Sequence, residues 1–197
     1  MAKIDIFPQD LWYWDLPVFF DIKESLLKEV YSLKNTTPSV KISNINGWQS
    51  PSVFDLKFRS NNLKILLSRI GDHIKNDALQ YSYNYNFQSL WFNINHPGCL
   101  NFTHNHPGCE LTGIFYLKVP EPAKESGELL ITNPNFYQVY NYLRCSTNPQ
   151  NGEYRIEPKE GRFYLFPAFL YHSVLTNNTN EDRISFACNI SISDNKL

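Results

Sequence analysis

NFTHNHPGCELTGIFYLKV, residues 101–119, is the stretch that decides the fold. Two short runs with aromatic and β-branched residues flank a Pro-Gly pair, and such runs are typical of β-strands. The same pattern predicts strands over residues 89–95, 101–106, 111–119, 128–131, 161–166, 171–175 and 183–192. Many short strands with no helices between them predict an antiparallel barrel or jelly roll. The polar, turn-rich residues 133–158 are predicted to form a long insertion loop.

The first half of the chain carries a helical pattern instead. Asp21 followed by Glu24 resembles a capping box, and a second helix is predicted from Asn61 to Ala78. The expected fold class is α+β, mainly β: a double-stranded β-helix (a jelly roll or cupin-like barrel) with N-terminal supporting helices. Residues 1–85 are expected to support a catalytic core formed by residues 86–197, within one structural domain.

The composition indicates a globular protein with no marked affinity for polyanions. The chain has 197 residues, a formal net charge of −1, and 42% hydrophobic residues. A nearly neutral chain has no general attraction to nucleic acid or anionic membranes. No window reaches the roughly 18 apolar residues of a membrane span, and the N-terminus lacks the apolar region of a signal peptide. We therefore expect a soluble cytoplasmic protein.

Three histidines have the spacing of a metal site. His104 and His106 are two residues apart, so both would point to the same face of a strand. His172, at the start of a later predicted strand, can supply a third ligand. This spacing suits a facial triad, which leaves coordination positions open for non-haem iron(II) chemistry. An isolated H-x-H on a surface loop would have no such role, but the later His172 favours the metal site.

Arg183 and Ser185 also share one face of a predicted strand, and Arg183 lies eleven residues after His172. A guanidinium binds a carboxylate through two parallel hydrogen bonds, and a hydroxyl can add another. The pair therefore suits the distal carboxylate of 2-oxoglutarate, whose other end would chelate the iron. The competing interpretation is a surface arginine paired with Asp182 or Glu181.

Together these segments resemble the 2-oxoglutarate/iron(II) oxygenases of bacteria and their phages. The resemblance covers roughly residues 44–189 and rests on residues 46–50 (NGWQS), 91–95 (WFNIN), 104–107 (HNHP), 111–117 (LTGIFYL), 161–167 (GRFYLFP), 172–174 (HSV), 183–186 (RISF) and Asn189. It implies a double-stranded β-helix in a bacterium or a phage-infected host, with His104 and His172 as iron ligands and Arg183 as the 2-oxoglutarate anchor. The wider superfamily has H-x-D where this chain has His106, so Glu110 stays open as an alternative carboxylate ligand.

A cupin-like barrel is the alternative resemblance. His104, His106 and Glu110 match part of the first cupin motif, which would imply a metal-binding protein or a dioxygenase that does not use 2-oxoglutarate. The expected late glycines of the cupin motifs are missing, and Arg183 with Ser185 favours the oxygenase.

The remaining candidates surround this constellation. Asn93 and Tyr116 are predicted to hydrogen-bond the co-substrate. Trp48 is predicted either to line the substrate path or to fill the seam between helices and barrel, and Glu110 is a second candidate on the substrate side. No side chain beyond the metal ligands is assigned a catalytic role. The expected reaction consumes 2-oxoglutarate and O₂, hydroxylates a C–H bond of an unidentified small-molecule or protein substrate, and releases succinate and CO₂. An oligomer stays open.

Overall fold

The computed structural model describes residues 9–81, 83–121, 126–135 and 152–194. Within these ranges the chain is mainly β, as predicted. The helices are α1 (Val18–Thr36) and α2 (Asn61–His73), and α2 continues into a π-helical turn (Ile74–Ala78). The strands are β1 (Trp12–Asp15), β2 (Asn44–Ile45), β3 (Trp48–Gln49), β4 (Tyr83–Asn95), β5 (Leu100–His104), β6 (Leu111–Lys118), β7 (Leu129–Thr132), β8 (Glu153–Ile156), β9 (Arg162–Pro167), β10 (His172–Val174) and β11 (Arg183–Asp194).

The strands form two antiparallel sheets. The large sheet has the order β1-β9-β6-β11-β4-β3, and the small sheet has the order β2-β5-β10-β7-β8. Strand β11 lies inside the large sheet and pairs with β4 from Arg183 opposite Asn95 to Asp194 opposite Tyr83. Its other edge pairs with β6, which places Ser185 opposite Tyr116. The register of the two longest strands, β4 and β11, therefore determines which residues lie side by side on the inner face of the large sheet.

Two hydrophobic clusters lie on opposite faces of the large sheet. Side chains alternate between the faces of a strand, so one set meets the helices and the other meets the small sheet. The larger cluster joins α1 and α2 to the outer face and includes Phe19, Leu26, Leu66, Ile70, Phe92, Phe115 and Phe186. The smaller cluster joins the two sheets and includes Ile114, Tyr116, Leu129, Phe166 and Val174. Full burial of such a side chain contributes roughly 1.5–3 kcal/mol.

Helix α1 begins earlier than the sequence predicts. Its N-cap is Pro17, and no side chain caps the first turn, so the predicted capping box at Asp21 and Glu24 is wrong. The fixed φ of proline suits the start of a helix. Asp21 lies within the first turn instead, where its negative charge interacts favourably with the helix dipole.

Several strand boundaries also differ from the prediction. The predicted loop over residues 133–158 contains β8, which pairs with β7, so the loop prediction is wrong for Glu153–Ile156. Three of the four residues of β8 are exposed, which explains why an apolar pattern did not reveal it. Residues 136–151 of that predicted loop lie outside the described residues. Strand β5 ends at His104, two residues before the predicted end.

Candidate metal centre

The structure brings His104, His106 and His172 together. One ligand nitrogen from each lies within 4.8 Å of the other two. His104 ends β5 and is the direct partner of His172, which begins β10. His106 lies beyond the strand, so the prediction that one strand face carries both His104 and His106 is wrong. It reaches the same place because its backbone N–H donates a hydrogen bond to the Ala168 carbonyl, at 2.9 Å.

Backbone carbonyls orient two of the three imidazoles. His104 Nδ1 lies 2.7 Å from the Phe102 carbonyl, and His172 Nδ1 lies 2.9 Å from the Leu170 carbonyl. A carbonyl only accepts, so each Nδ1 carries the proton and each Nε2 keeps a lone pair. His172 Nε2 faces His106 Nε2 at 3.3 Å. Metal-binding histidines commonly donate a hydrogen bond from the ring nitrogen that does not bind the metal, because this bond fixes the tautomer and the ring orientation.

Burial keeps this cluster uncharged. Burial lowers the pKa of His106 to about 4, assisted by His104, and lowers the pKa of His172 to about 3. The pKa of His104 is also lowered by burial, although its hydrogen bond to Phe102 opposes the shift. Three neutral imidazoles offer lone pairs to a cation, and neutral histidine is the form that binds metals.

A cavity of about 460 Å³ contains the three histidines and Arg183. Arg183 is only 2% exposed, and among the described residues its Nε and Nη1 have no hydrogen-bond partner. Its guanidinium carbon lies 5.7 Å from the Tyr116 ring centroid. Burial lowers the pKa of Arg183, and the nearby Tyr116 opposes that shift. The cavity therefore holds a buried cation without a described anionic partner, and the predicted surface pairing with Asp182 or Glu181 is not found.

Glycine at position 127 leaves room for this arginine. A Cβ there would lie 2.8 Å from Arg183 Cδ and 2.9 Å from Nε, and the backbone φ of +65° also favours glycine. Asp182 contacts His96 and Tyr31 instead of Arg183: His96 Nδ1 lies 2.5 Å from one of its carboxylate oxygens, and Tyr31 donates to the other at 3.0 Å.

Three predicted co-substrate residues form one row across the large sheet: Asn93 is paired with Ser185, and Ser185 with Tyr116. Gln49, which the sequence analysis did not single out, extends the row beside Asn93. Asn93 and Ser185 line the cavity, and the buried Oδ1 of Asn93 has no partner among the described residues. The Tyr116 hydroxyl is likewise buried and unpartnered within the described ranges, and burial raises its pKa to about 12 despite the nearby Arg183.

Two predicted substrate-side residues lie elsewhere. Trp48 is buried in the large hydrophobic cluster, where its indole N–H donates to the Thr37 carbonyl at 3.0 Å. It is absent from the described residues that line the cavity, which favours the core interpretation. Glu110 is exposed, and one carboxylate oxygen accepts a hydrogen bond from the Ile192 N–H at 2.8 Å. It is not part of the histidine group.

Sequence reasoning missed an aromatic side chain beside the histidines. The Trp91 ring lies 5.6 Å from the His106 ring and lines the cavity. Trp91 alternates with Phe92 along β4, so its inward position follows from the strand period. The sequence also gave no sign that residues 40–52 form one wall of the cavity, because their two strands are only two residues long.

The sequence that forms this site matches a known protein family. The profile described as "Putative 2OG-Fe(II) oxygenase" matches residues 89–189, more than half of the chain. The chain belongs to this oxygenase family. The match contains all three clustered histidines together with Arg183 and Ser185. No curated protein matches the sequence of the oxygenase.

Solved structures resemble the oxygenase in fold. A prolyl-4-hydroxylase from Pseudomonas putida has a TM-score of 0.65 at 14% identity, over 93% of this chain and 92% of the other. A viral collagen prolyl hydroxylase from Paramecium Bursaria Chlorella virus-1, solved with 2-oxoglutarate, has a TM-score of 0.59 at 18% identity, over 91% and 94%. The epimerase SnoN from nogalamycin biosynthesis, solved with Fe³⁺ and α-ketoglutarate, has a TM-score of 0.62 at 17% identity, over 91% and 78%.

The oxygenase uses iron and 2-oxoglutarate, as predicted, and its residues fit both. Imidazole is a suitable ligand for iron, and the three imidazoles of this cavity are neutral. The unpartnered guanidinium of Arg183 suits a dicarboxylate. Among the described residues, no helix combines the length and apolar character needed to cross a membrane.

Proposed function

We propose that the protein is an iron(II)- and 2-oxoglutarate-dependent hydroxylase. The observation that supports this best is the content of one cavity: three neutral imidazoles meet at one place, and the same cavity holds a buried guanidinium that lacks an anion. In this proposal His104, His106 and His172 hold the iron. Among the described residues no carboxylate joins this group, and the carboxylate of Glu110 instead accepts a hydrogen bond from the Ile192 backbone N–H.

Arg183 binds the distal carboxylate of 2-oxoglutarate. A buried charge without a partner is costly, and a carboxylate would remove that cost through charge-assisted hydrogen bonds to Nε and Nη1. Ser185 lies one pleat further along the same strand face, so its hydroxyl can donate to the same ligand. Gly127 keeps the arginine stem in place by leaving space beside it.

Asn93 and Tyr116 complete the co-substrate site. Both flank Ser185 across the sheet, and both carry a buried oxygen that lacks a partner among the described residues. A protonated Tyr116 hydroxyl can donate to a ligand oxygen throughout the neutral pH range, because burial raises its pKa to about 12. The Asn93 amide supplies both a donor and an acceptor.

Bound iron(II) and 2-oxoglutarate supply the oxidation itself: O₂ is consumed, the co-substrate leaves as succinate and CO₂, and one oxygen atom enters a substrate C–H bond. The protein binds, orients and excludes water, and no side chain acts as nucleophile or base. The apolar neighbours Ile114, Leu129 and Phe166 line the same cavity and limit water access.

The two sheets also indicate a more specific fold. We propose that the two sheets form a double-stranded β-helix, with the metal between them and α1 and α2 supporting the outer face. The clusters on both faces of the large sheet support this arrangement.

Hydroxylation is proposed because two of the structurally similar proteins are prolyl hydroxylases. The cupin-like alternative gives no role to the buried Arg183.

Succinate formation tests the proposal. The purified protein, loaded with iron(II) in air, should convert 2-oxoglutarate slowly to succinate even without substrate. His172→Ala should lose this turnover and bind iron at least about tenfold more weakly. Removing only the hydrogen-bond partner of a metal-binding residue already lowers metal affinity roughly 10–100-fold. Iron content per chain and succinate are both measured.

His73→Ala is the matched control, because His73 lies on α2 outside the cavity and is partly exposed. It should retain both iron and turnover. Full iron occupancy in His172→Ala, or a wild-type protein that binds iron but leaves 2-oxoglutarate unchanged, contradicts the proposal.

A further inference from the structure

The inner face of the large sheet presents further residues to the cavity beyond those assigned to the co-substrate. Strand register defines two more rows beside the row of Asn93, Ser185 and Tyr116. The middle row is Trp91, Ala187 and Ile114, and the outer row is Ser89, Asn189 and Thr112. Neighbouring rows lie about 7 Å apart, because each is two residues further along its strand. The cavity therefore extends past the co-substrate residues, on the side away from Arg183.

The middle row adjoins the three histidines. The Trp91 ring lies 5.6 Å from the His106 ring. The segment before α2 closes one side of this space: the Val53 N–H donates to the Leu90 carbonyl at 2.7 Å, which brings the cavity residue Ser52 alongside this part of β4. A molecule that rests on the middle and outer rows would therefore lie beside the candidate metal centre.

The charges of the loaded site do not balance. Iron(II) carries two positive charges, Arg183 adds a third, and 2-oxoglutarate supplies two negative charges. The three imidazoles are neutral and contribute none. In the wider superfamily an aspartate at the position of His106 would cancel the remaining charge. Because the distal carboxylate of the co-substrate neutralises Arg183, the excess positive charge lies at the metal.

The described residues offer no negative charge to this cavity. Its lining contains no Asp or Glu. Burial raises the pKa of the Tyr116 hydroxyl to about 12 and also raises the pKa of the Cys99 thiol, so both are neutral at neutral pH. Carboxylates close in sequence to the site residues have partners elsewhere: Glu110 the Ile192 N–H, Glu128 the Arg155 guanidinium, and Asp182 the His96 ring.

Neutral hydrogen-bond donors line the part of the cavity beside the metal centre. The Ser52 hydroxyl is buried and has no partner among the residues that the structure describes. Asn189 contacts Thr112 through Oδ1, at 3.4 Å, and its Nδ2 donates to no described residue. Hydroxyl and amide N–H groups bind carboxylate oxygens through charge-assisted hydrogen bonds. The apolar middle row suits the carbon skeleton of the same molecule.

We infer that the substrate is an organic acid whose anionic group balances the positive charge that His106 leaves at the metal, an inference that rests on the proposed function. The acid lies on the middle and outer rows, with Ser52 and Asn189 as its hydrogen-bond donors. At an effective dielectric constant of about 20, two opposite unit charges roughly 10 Å apart tighten binding about tenfold to twentyfold. His106 is then a determinant of substrate charge as well as a metal ligand.

Matched pairs of small probes test this substrate class. Benzoate and benzamide, hexanoate and hexanamide, and N-acetylglycine and N-acetylglycinamide differ in charge and little in shape. Binding is measured by calorimetry on protein loaded with manganese(II) and saturating 2-oxoglutarate without O₂, so that no turnover occurs. The acid of at least one pair should bind about tenfold or more tightly than its amide.

Two further measurements exclude other sites for the acid. Equilibrium dialysis with isotope-labelled 2-oxoglutarate shows whether the co-substrate stays bound, and an acid that displaces it from Arg183 would overturn the inference. Sodium chloride is titrated in a halide-free buffer as the inorganic anion. Chloride that binds as tightly as the best acid would show that an inorganic ion balances the charge, which also overturns the substrate class.

His106→Asp supplies the missing carboxylate. Two histidines and one carboxylate are a suitable ligand set for the metal, so the variant should keep its metal, measured as metal content per chain. Its preference for acids over amides should fall at least about tenfold, because the excess charge is gone. A variant that holds metal and keeps the full preference for acids would contradict the inference.

Ser89→Asp tests the same charge without changing a histidine. Ser89 belongs to the outer row, so an aspartate there should also reduce the preference for acids, whether or not His106→Asp holds its metal. Gln88→Glu is the matched control, because Gln88 is an exposed residue of β4 that does not line the cavity. It adds the same charge and should leave the preference unchanged. An unchanged preference in Ser89→Asp would place the acid outside the cavity.

The outcomes separate this inference from the proposed function. Equal or tighter binding of every amide, or no acid with a dissociation constant below about 1 mM, would overturn the substrate class. Iron content and succinate formation without any probe test the oxygenase activity separately. A protein that turns over 2-oxoglutarate but shows no preference for acids loses only the substrate inference. A protein that binds the acids but neither iron nor 2-oxoglutarate fails at the proposed function.

Discussion

Arg183 has opposite effects on stability and on ligand binding. Its guanidinium is buried with two unpartnered N–H groups among the described residues, and the Tyr116 ring 5.7 Å away offers only partial compensation. An arginine stays protonated in proteins, so the free enzyme holds a charge that water no longer solvates. Such a residue stabilises the protein only when an anion is bound.

Arg183→Met separates these two effects. Methionine fills similar space without charge, so the free energy of unfolding in the absence of 2-oxoglutarate should stay unchanged or rise, by up to about 1–4 kcal/mol. The affinity for 2-oxoglutarate should fall more than tenfold, because a buried charge-assisted contact is worth roughly 2–5 kcal/mol. Urea unfolding and calorimetric titration measure the two quantities.

Arg69→Met is the control for this experiment, since Arg69 is an exposed residue of α2 whose ion pair with Asp72 is long, at 3.8 Å. It should leave both stability and 2-oxoglutarate affinity nearly unchanged. An Arg183→Met protein that is strongly destabilised yet binds 2-oxoglutarate normally would indicate that the arginine serves the fold.

Trp48 and Trp91 should respond differently to the same substitution. Trp48→Ala should lower the free energy of unfolding by about 3–5 kcal/mol, because it empties a position in the large cluster. Trp91 is partly exposed in the cavity, so Trp91→Ala should cost less stability and instead reduce substrate-dependent turnover. Thermal unfolding and the ratio of product to succinate distinguish them. Equal losses of stability would contradict this assignment.

Residue types and spacing were enough to find the groups with unusual chemistry. His104, His106, His172 and Arg183 were predicted together, because repeated histidines and a following arginine form a recognisable pattern. Gln49 and Trp91 were not predicted as cavity residues, since a glutamine or tryptophan alone fits many environments. Their direction depends on strand register, which pairs Gln49 with Asn93 and becomes visible only in three dimensions.

At the scale of elements, β6 can pack closely against β9 because Gly113 has no side chain. Gly113 lies on β6 opposite Leu165 of β9, and a Cβ at Gly113 would overlap the Phe163 ring and lie 3.0 Å from the Tyr164 carbonyl oxygen. Phe163 is fully buried, so neither strand can move away easily.

Gly113→Ala should therefore lower the free energy of unfolding by about 1–3 kcal/mol, the usual cost of overpacking. Phe163→Leu removes the overlapping ring atoms and should relieve part of this cost in the double variant. Denaturant unfolding of both single variants and the double variant gives the coupling between them. Simple addition of the two losses would show that the ring is not the obstacle.

Long elements were predicted better than short ones. The run of apolar residues in β11 and the helical stripe of α2 each extend over several repeats, so periodicity identified them. β2 and β3 have two residues each, which is too short for any period to appear. The start of α1 was missed because its N-cap, Pro17, lacks a capping side chain.

At the scale of the whole molecule, the described part of residues 9–81 contributes to the same core as the rest. These residues contribute buried side chains to the large cluster, each worth roughly 1.5–3 kcal/mol: Leu16, Phe19, Leu26, Leu27, Val30, Trp48, Val53, Leu63, Leu66, Ile70, Ile74 and Leu79. Together these exceed the roughly 5–15 kcal/mol by which a folded protein is stable.

A fragment of residues 86–197 should therefore fail to fold alone. It would expose the outer face of the large sheet and lack the wall formed by residues 40–52. Circular dichroism should show no cooperative melting, whereas the full chain should melt in a single transition. A cooperative melt of the fragment would instead support residues 86–197 as an independent unit.

The pairing of β1 with β9 has a consequence for how the chain is made. Asp15 is paired with Arg162 and Trp12 with Leu165, so the two strands lie far apart in the sequence. At about 5–20 residues per second, a ribosome makes β9 some 7–30 seconds after β1. During that interval the segment WYWD has no strand to join, and its aromatic rings are open to chaperones that bind nascent chains. The large sheet is completed later still, because β11, which lies between β6 and β4 in the sheet, follows β9 in the chain and leaves the exit tunnel after it.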